Sequence, residues 1–207
     1  MTSRQALVKS AQRWETASVI WMVLEAAGAL TAGWRSHSVA LGGFGADSLI
    51  EVLSAGVLLW RLHRELVAPD SEDAGRVERQ AARVSLFLLT ILAAVLVISA
   101  AAAFWRHIPE SPSPLGLMIT AVSSVLMIVF ARAKRRLGIA LGSQALQADA
   151  VEGWVCAYMA WAALGGTAAV MLFHWGWADS LAALLIAYWV GKEVWEIREE
   201  LEEKKPE

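Results

Sequence analysis

The sequence predicts an all-α integral membrane protein of six transmembrane helices with both termini in the cytoplasm. Three observations carry that expectation. Hydrophobic residues make up 57% of the 207 and the mean hydropathy is +0.48, beyond what a soluble domain of this length shows. The charged residues, 18% of the chain, fall in short runs that separate long apolar stretches. The Lys and Arg residues, finally, are divided very unequally between the two sets of loops.

A helix needs about 20 mostly apolar residues to cross roughly 30 Å of hydrocarbon. The segment 1–15 carries Arg4, Lys9, Arg13 and Glu15 and has no apolar core of its own. It therefore reads as a cytoplasmic N-terminal segment rather than a cleavable signal peptide. The transmembrane domain, 16–195, divides into spans near Thr16–Gly33, Ser38–Leu62, Val84–Trp105, Leu115–Arg132, Ala145–Phe173 and Ala178–Trp195. Residues 196–207 form a short acidic cytoplasmic tail, read as a helical extension. Trp14, Trp34, Trp60, Trp105, Trp175, Trp177 and Trp195 fall near span ends, as an interfacial aromatic belt requires. Trp21, Trp154, Trp161 and Trp189 lie deeper and are expected to pack.

Sixteen of the eighteen Lys and Arg residues lie in the N-terminal segment, the second and fourth loops and the C-terminal stretch; the other side has Arg35 and Arg106 alone. Short loops rich in Lys and Arg stay in the cytoplasm, which sets the orientation. The run Arg132–Arg136 reads as a loop anchor that meets anionic lipid, and Glu110–Pro114 as an external turn. A net charge of −2 gives no reason to expect nucleic acid. With Cys156 as the one cysteine, an internal disulfide is excluded.

Carboxylates inside a span cost several kcal/mol and mark functional candidates. Glu25 lies in the first span, Asp47 and Glu51 in the second, Asp149 and Glu152 in the fifth, and Asp179 at the water-facing start of the sixth. No Lys or Arg is expected to meet them within the membrane. A buried carboxylate without such a partner carries a proton or holds a metal ion. Spacing sharpens this. Asp47 and Glu51 are four apart and share a helix face; Asp149, Glu152 and Cys156 are three and seven apart and share another. At 1.5 Å per residue, Asp47 and Glu51 lie about 14 and 20 Å from the outside. Cys156 and Glu152 lie about 16 and 10 Å from the cytoplasm. Cys156 is then level with Asp47 and Glu152 with Glu51, provided the two helices are neighbours.

The expected metal donors are thus Asp47, Glu51, Asp149, Glu152 and Cys156, while Glu25 is read as structural. Carboxylates with one thiol suit Zn²⁺ best, with Co²⁺, Fe²⁺, Mn²⁺ or Cd²⁺ also admissible. The ion would be a transported substrate; no permanently bound cofactor is expected. Gly42, Gly43 and Gly45 before Asp47, and Gly153, Gly165 and Gly166 in the fifth span, would let helices approach closely around the acids. The histidines His37, His63, His107 and His174 all fall outside mid-membrane and read as surface residues.

These residues resemble the cation diffusion facilitator family. Ser38-Val-Ala-Leu-Gly-Gly-Phe-Gly-Ala-Asp47-Ser-Leu-Ile-Glu51 is similar to the family's second helix, with two acids four apart after small residues. Ala148-Asp149-Ala-Val-Glu152-Gly-Trp-Val-Cys156 resembles the fifth-helix frame A-D-x-x-H-x-x-x-D, and Trp177-Ala-Asp179 resembles the start of the sixth. The resemblance implies export of a divalent cation, usually Zn²⁺, in exchange for protons by an alternating-access homodimer in membrane lipid, expected here to be a bacterial inner membrane. Asp47 and Glu51 would be second-helix ligands, with Glu152 at the histidine's place and Cys156 at the second aspartate's. The chain departs from the frame at those last two positions. It also shows no counterpart of the family's cytoplasmic C-terminal domain, so the minimal six-helix form is expected.

Two other functions fit the same acids. A membrane scaffold or accessory subunit would use them only to specify helix packing. A proton-coupled exporter of organic cations would need an aromatic-lined cavity, and the second span offers few aromatic residues near Asp47. An enzyme is not expected, since no nucleophile–base pair or catalytic motif occurs.

Overall fold

The computed structural model describes residues 3–67, 74–106, 111 and 113–203. Among them the chain forms six helices and no strand: α1 (Ser3–Ser36), α2 (Val39–Val67), α3 (Ala74–Arg106), α4 (Pro114–Leu141), α5 (Gln144–Phe173) and α6 (Trp177–Glu203). Each of the six expected spans corresponds to a longer helix, except that Ser38, the expected start of the second, lies just ahead of α2. At 27 to 34 residues the helices run roughly 40–51 Å, beyond the hydrocarbon they must cross. Five are long and apolar enough to span a membrane on composition; α6, which carries Asp179, Lys192 and Glu193, is not among these. The side chains of Arg61, His63, Arg64, Arg76, Arg79, Arg106, Lys204 and Lys205 lie outside the described residues, as do His107, Glu110 and Pro112.

Local chemistry sets the helix ends. His37 ends α1 with a left-handed φ of 59°, and the Ser38 amide turns back to the Gly33 carbonyl at 3.1 Å. Ser38 Oγ then accepts the Leu41 N–H at 3.0 Å, capping α2. Ser113 caps α4 through the Gly116 N–H, with Pro114 in the first turn, and Gly142 ends it at φ 66°. Ser143 caps α5, which ends at His174 with φ 56°. Two of the four histidines thus serve as helix stops.

The Arg132–Arg136 run is not a loop. No breaker precedes Gly142, so α4 continues through it to Leu141. One consequence is that Lys134, 4% exposed, is carried onto the buried face formed by Met127, Phe130, Ala131 and Gly138. The N-terminal segment is likewise helical from Ser3, with Val8, Ala11 and Glu15 buried.

In the bundle, α1 packs on α2 and α4, α4 on α5, and α5 on α2; α3 pairs with α6, which also meets α5 and α2. The condition set on the depth argument is met, since α2 and α5 are in contact. Three turns share one end of the bundle: the Ser111 amide donates to the Ser36 carbonyl at 3.0 Å, and Asp179 accepts from Ser38 Oγ and, at 3.1 Å, from the Ala40 amide. Asp179 is fully buried there, where water had been expected beside it; α2's first turn, with free N–H groups, takes the place of water. At the opposite end Val8, Ala11, Leu58 and Leu146 form their own cluster.

The outer surface is apolar. Ile20, Leu24, Phe87, Ile91, Ile98 and Leu185 are all exposed, an arrangement that needs lipid. Trp161, expected to pack, also faces outward, as does Tyr158, whose ring stacks on Trp189 at 5.3 Å. Close approach is concentrated at α1 against α2. A Cβ on Gly33 would lie 2.7 Å from the Gly42 amide nitrogen, and one on Gly45 2.9 Å from that of Leu30. Gly166 brings α5 equally close to Ala182 of α6, whereas a Cβ at Gly42 or Gly165 would meet nothing within 4 Å.

Candidate metal site

Asp47 and Glu51 sit at the centre of the bundle on the face of α2 that turns toward α1, α5 and α6. Both are buried, Asp47 completely, and none of their four oxygens accepts a hydrogen bond. Unsatisfied buried carboxylates are rare, because each leaves a strong acceptor with nothing to replace water. Cys156, fully buried on α5, lies within electrostatic range of Glu51, Glu25 and Asp47. Its Sγ is 3.8 Å from Glu25 Oε1. Glu152, one turn nearer the N-terminus of α5 and partly exposed, interacts with both Asp47 and Glu51. Four of the five expected donors therefore converge from α2 and α5. Among the described residues no three His, Cys, Asp or Glu side chains stand close enough to hold an ion as they are placed.

The fifth donor is diverted. Asp149 Oδ2 is 2.7 Å from Lys134 Nζ, and Glu15 Oε2 is 3.1 Å from the same nitrogen. This corrects the expectation that no intramembrane cation meets these acids: Lys134 of α4 joins α1 and α5 in a buried Glu15–Lys134–Asp149 triad. The sign of the local charge explains it. A buried ammonium is tolerable only between carboxylates, and Asp149, first in the α5 acid series, is the one α4 can reach.

Three further acids escaped the sequence reading in part or whole. Glu25, taken as structural, has a carboxylate that accepts Ser48 Oγ at 2.6 Å and Trp21 Nε1 at 2.9 Å. It exerts the largest charge effect on Asp47. Glu193 of α6 is 9% exposed with Oε2 unpartnered, and it acts on Glu51 and Glu152. Glu15 anchors the triad. Helical periodicity held the signal for each. Glu25 falls on the face of Met22, Ala26 and Ala29, and Glu193 on that of Ala183, Ile186 and Val190, all buried.

Six helices around orphaned carboxylates, five of them long and apolar enough to cross a membrane, define a polytopic membrane protein with an acidic interior. The chain belongs to the cation efflux family: the model of its transmembrane domain matches residues 16–200. It is also similar to the manganese efflux system protein MneS of Bacillus subtilis (strain 168), at 26% identity over 174 residues. That match covers 83% of this chain and 60% of the relative, so the chain spans somewhat under two thirds of the relative's length.

Proposed function

We propose that the protein exports divalent transition-metal ions across a bacterial inner membrane, as a homodimer, exchanging them for protons. The observation that supports this most is the pair Asp47 and Glu51: fully enclosed, without hydrogen-bond donors, and facing Glu152 and Cys156 across the α2–α5 contact. A packing role does not explain acceptors left empty. In this reading the ion is held by Asp47, Glu51, Glu152 and Cys156, which rotate toward one another as it enters. Asp149 contributes its charge from the Lys134 triad. Oxygen and thiolate ligands must be deprotonated to hold a metal, so loading releases protons and unloading takes them up.

The thiol favours Zn²⁺, and the carboxylate majority together with the manganese-exporting relative favours Mn²⁺. Metal flux into proteoliposomes containing the purified protein decides between them, with Zn²⁺, Mn²⁺, Co²⁺, Fe²⁺ and Cd²⁺ compared. An acid interior should accelerate uptake, and a protonophore should remove the acceleration. Asp47→Asn should abolish flux while the protein stays monodisperse. If no metal is carried although the protein is folded and a control transporter works in the same lipid, the scaffold reading replaces this one.

A further inference from the structure

The carboxylate of Glu25 reaches the same interior space as the α2 and α5 donors, but from α1. It is completely buried. Its partners are all uncharged: Ser48 Oγ, Trp21 Nε1 and the Cys156 thiol, with the Ser123 hydroxyl also beside it. No salt bridge among the described residues reaches Glu25, Asp47 or Glu51, and the nearby buried cation, Lys134, is held by Glu15 and Asp149. Holding Trp21 and Ser48 in place does not need a charge. A glutamine could accept from Trp21 through its oxygen and donate to Ser48 Oγ, which also donates to the Phe44 carbonyl, without the several kcal/mol that a carboxylate costs in this surrounding. The charge on Glu25 therefore calls for another explanation. Beside it, Asp47 is fully enclosed with both oxygens unpartnered, and Glu25 is the charged group that acts on it most strongly.

We propose that Glu25 is a ligand of the transported ion and sets its selectivity, adding an α1 carboxylate beside Cys156 and so making the site prefer cations that bind oxygen. The inference rests on the transport reading above. Its chemistry is additive. With Glu25 counted, the donor set becomes four carboxylates, from Glu25, Asp47, Glu51 and Glu152, against the one sulfur of Cys156. Carboxylate shells suit Mn²⁺, whereas thiolate draws Zn²⁺ and Cd²⁺. Ser48, which bridges α2 to Glu25, and Trp21, one turn back on α1, fix the carboxylate's direction. The hydrogen bonds occupy one lone pair on each oxygen in the Trp21 and Ser48 directions and leave acceptor capacity toward the thiol.

The test compares wild type with Glu25→Gln and Glu25→Asp in two assays: Mn²⁺ and Cd²⁺ uptake into proteoliposomes, and calorimetric binding of Mn²⁺ and Cd²⁺ to detergent-solubilised protein. Gln keeps a carbonyl oxygen to accept from Trp21 Nε1, and its amide can donate to Ser48 Oγ, whose own proton has the Phe44 carbonyl at 3.0 Å to go to; the charge is removed with both neighbours still partnered. The expected result is a fall of at least about tenfold in Mn²⁺ affinity and flux, with Cd²⁺ affected much less, and partial recovery of Mn²⁺ in Glu25→Asp. An unchanged Mn²⁺-to-Cd²⁺ ratio in folded Glu25→Gln would overturn the proposal. So would aggregation of both variants, since the carboxylate would then be needed for packing. Should wild type bind Mn²⁺ but carry none, transport fails while the binding assay still judges Glu25.

Discussion

At the scale of single residues, the interior separates two uses of charge that look alike in the sequence. Asp47 and Glu51 are acceptors left open, whereas Asp149 and Glu15 are closed onto Lys134. Lys134 stands among the basic residues of the Arg132–Arg136 run, and counting that run as a loop hid its partner role. Only the continuation of α4 to Leu141 turns one of the run's side chains inward while Arg132, Arg135 and Arg136 stay exposed. Arg132 even lies over the Trp154 ring, 5.6 Å from its centroid. The difference predicts different mutant phenotypes. Removing the ammonium by Lys134→Met strands two carboxylates that are 0% and 11% exposed. The expected loss of stability is about 3–5 kcal/mol, read as a lower midpoint in detergent-titrated unfolding. Neutralising the partners as well, in Glu15→Gln/Lys134→Met/Asp149→Asn, should recover most of that loss. A triple variant no more stable than the single one would mean that Lys134 stabilises through its alkyl packing instead.

Between elements, approach distance matters more than composition. The glycine cluster before Asp47 was legible as a sign of close packing, yet its members do different things. Gly45 and Gly33 lie where α1 and α2 backbones nearly touch, while Gly42 leaves room for a Cβ. Which side of α2 each residue occupies depends on how α1 is placed, and no period within α2 encodes that. The same contact presses Ser48 against Glu25, so helix spacing and site geometry are one constraint. Gly45→Ala places a methyl 2.9 Å from the Leu30 amide nitrogen and 3.1 Å from Ala29 Cβ; neither can swing away as a flexible side-chain end could. Such overpacking costs about 1–3 kcal/mol and should lower both thermal stability in detergent and metal flux. Gly42→Ala, in the same turn, should match wild type in both measurements. Equal damage from the two substitutions would show that backbone flexibility of α2, rather than its distance from α1, is what these glycines provide.

For the whole molecule, the helices and their order were legible mainly because hydropathy windows of membrane length, which five of the six helices contain, report burial in lipid without reference to tertiary contacts. Depth put the acids of α2 and α5 at a common level, but that the two helices are neighbours comes from the fold. The contributions of α1 and α6, through Glu25 and Glu193, were not legible in the same way: depth says nothing about which helices face one another across a bundle. Orientation remains tied to the sequence through the basic residues, and the fold gives it a testable form. The α1–α2, α3–α4 and α5–α6 connections share one end, joined by the Ser111–Ser36 bond and by Asp179 on the first turn of α2. Both termini accordingly lie at the other end, with the α4–α5 turn. If the positive-inside bias governs, that other end is cytoplasmic. Two single cysteines in a Cys156→Ser background test this, one at each end. Ser111→Cys replaces an exposed side chain whose backbone bond is unaffected, and Arg135→Cys an exposed one on α4. In spheroplasts of an expressing bacterium, a membrane-impermeant maleimide should label Ser111→Cys at once and Arg135→Cys only after permeabilisation. The reverse pattern would invert the protein, turning the Glu152 side of the site outward and the exporter into an importer. Labelling of both without permeabilisation would mean that the two orientations coexist, as an antiparallel pair of copies requires.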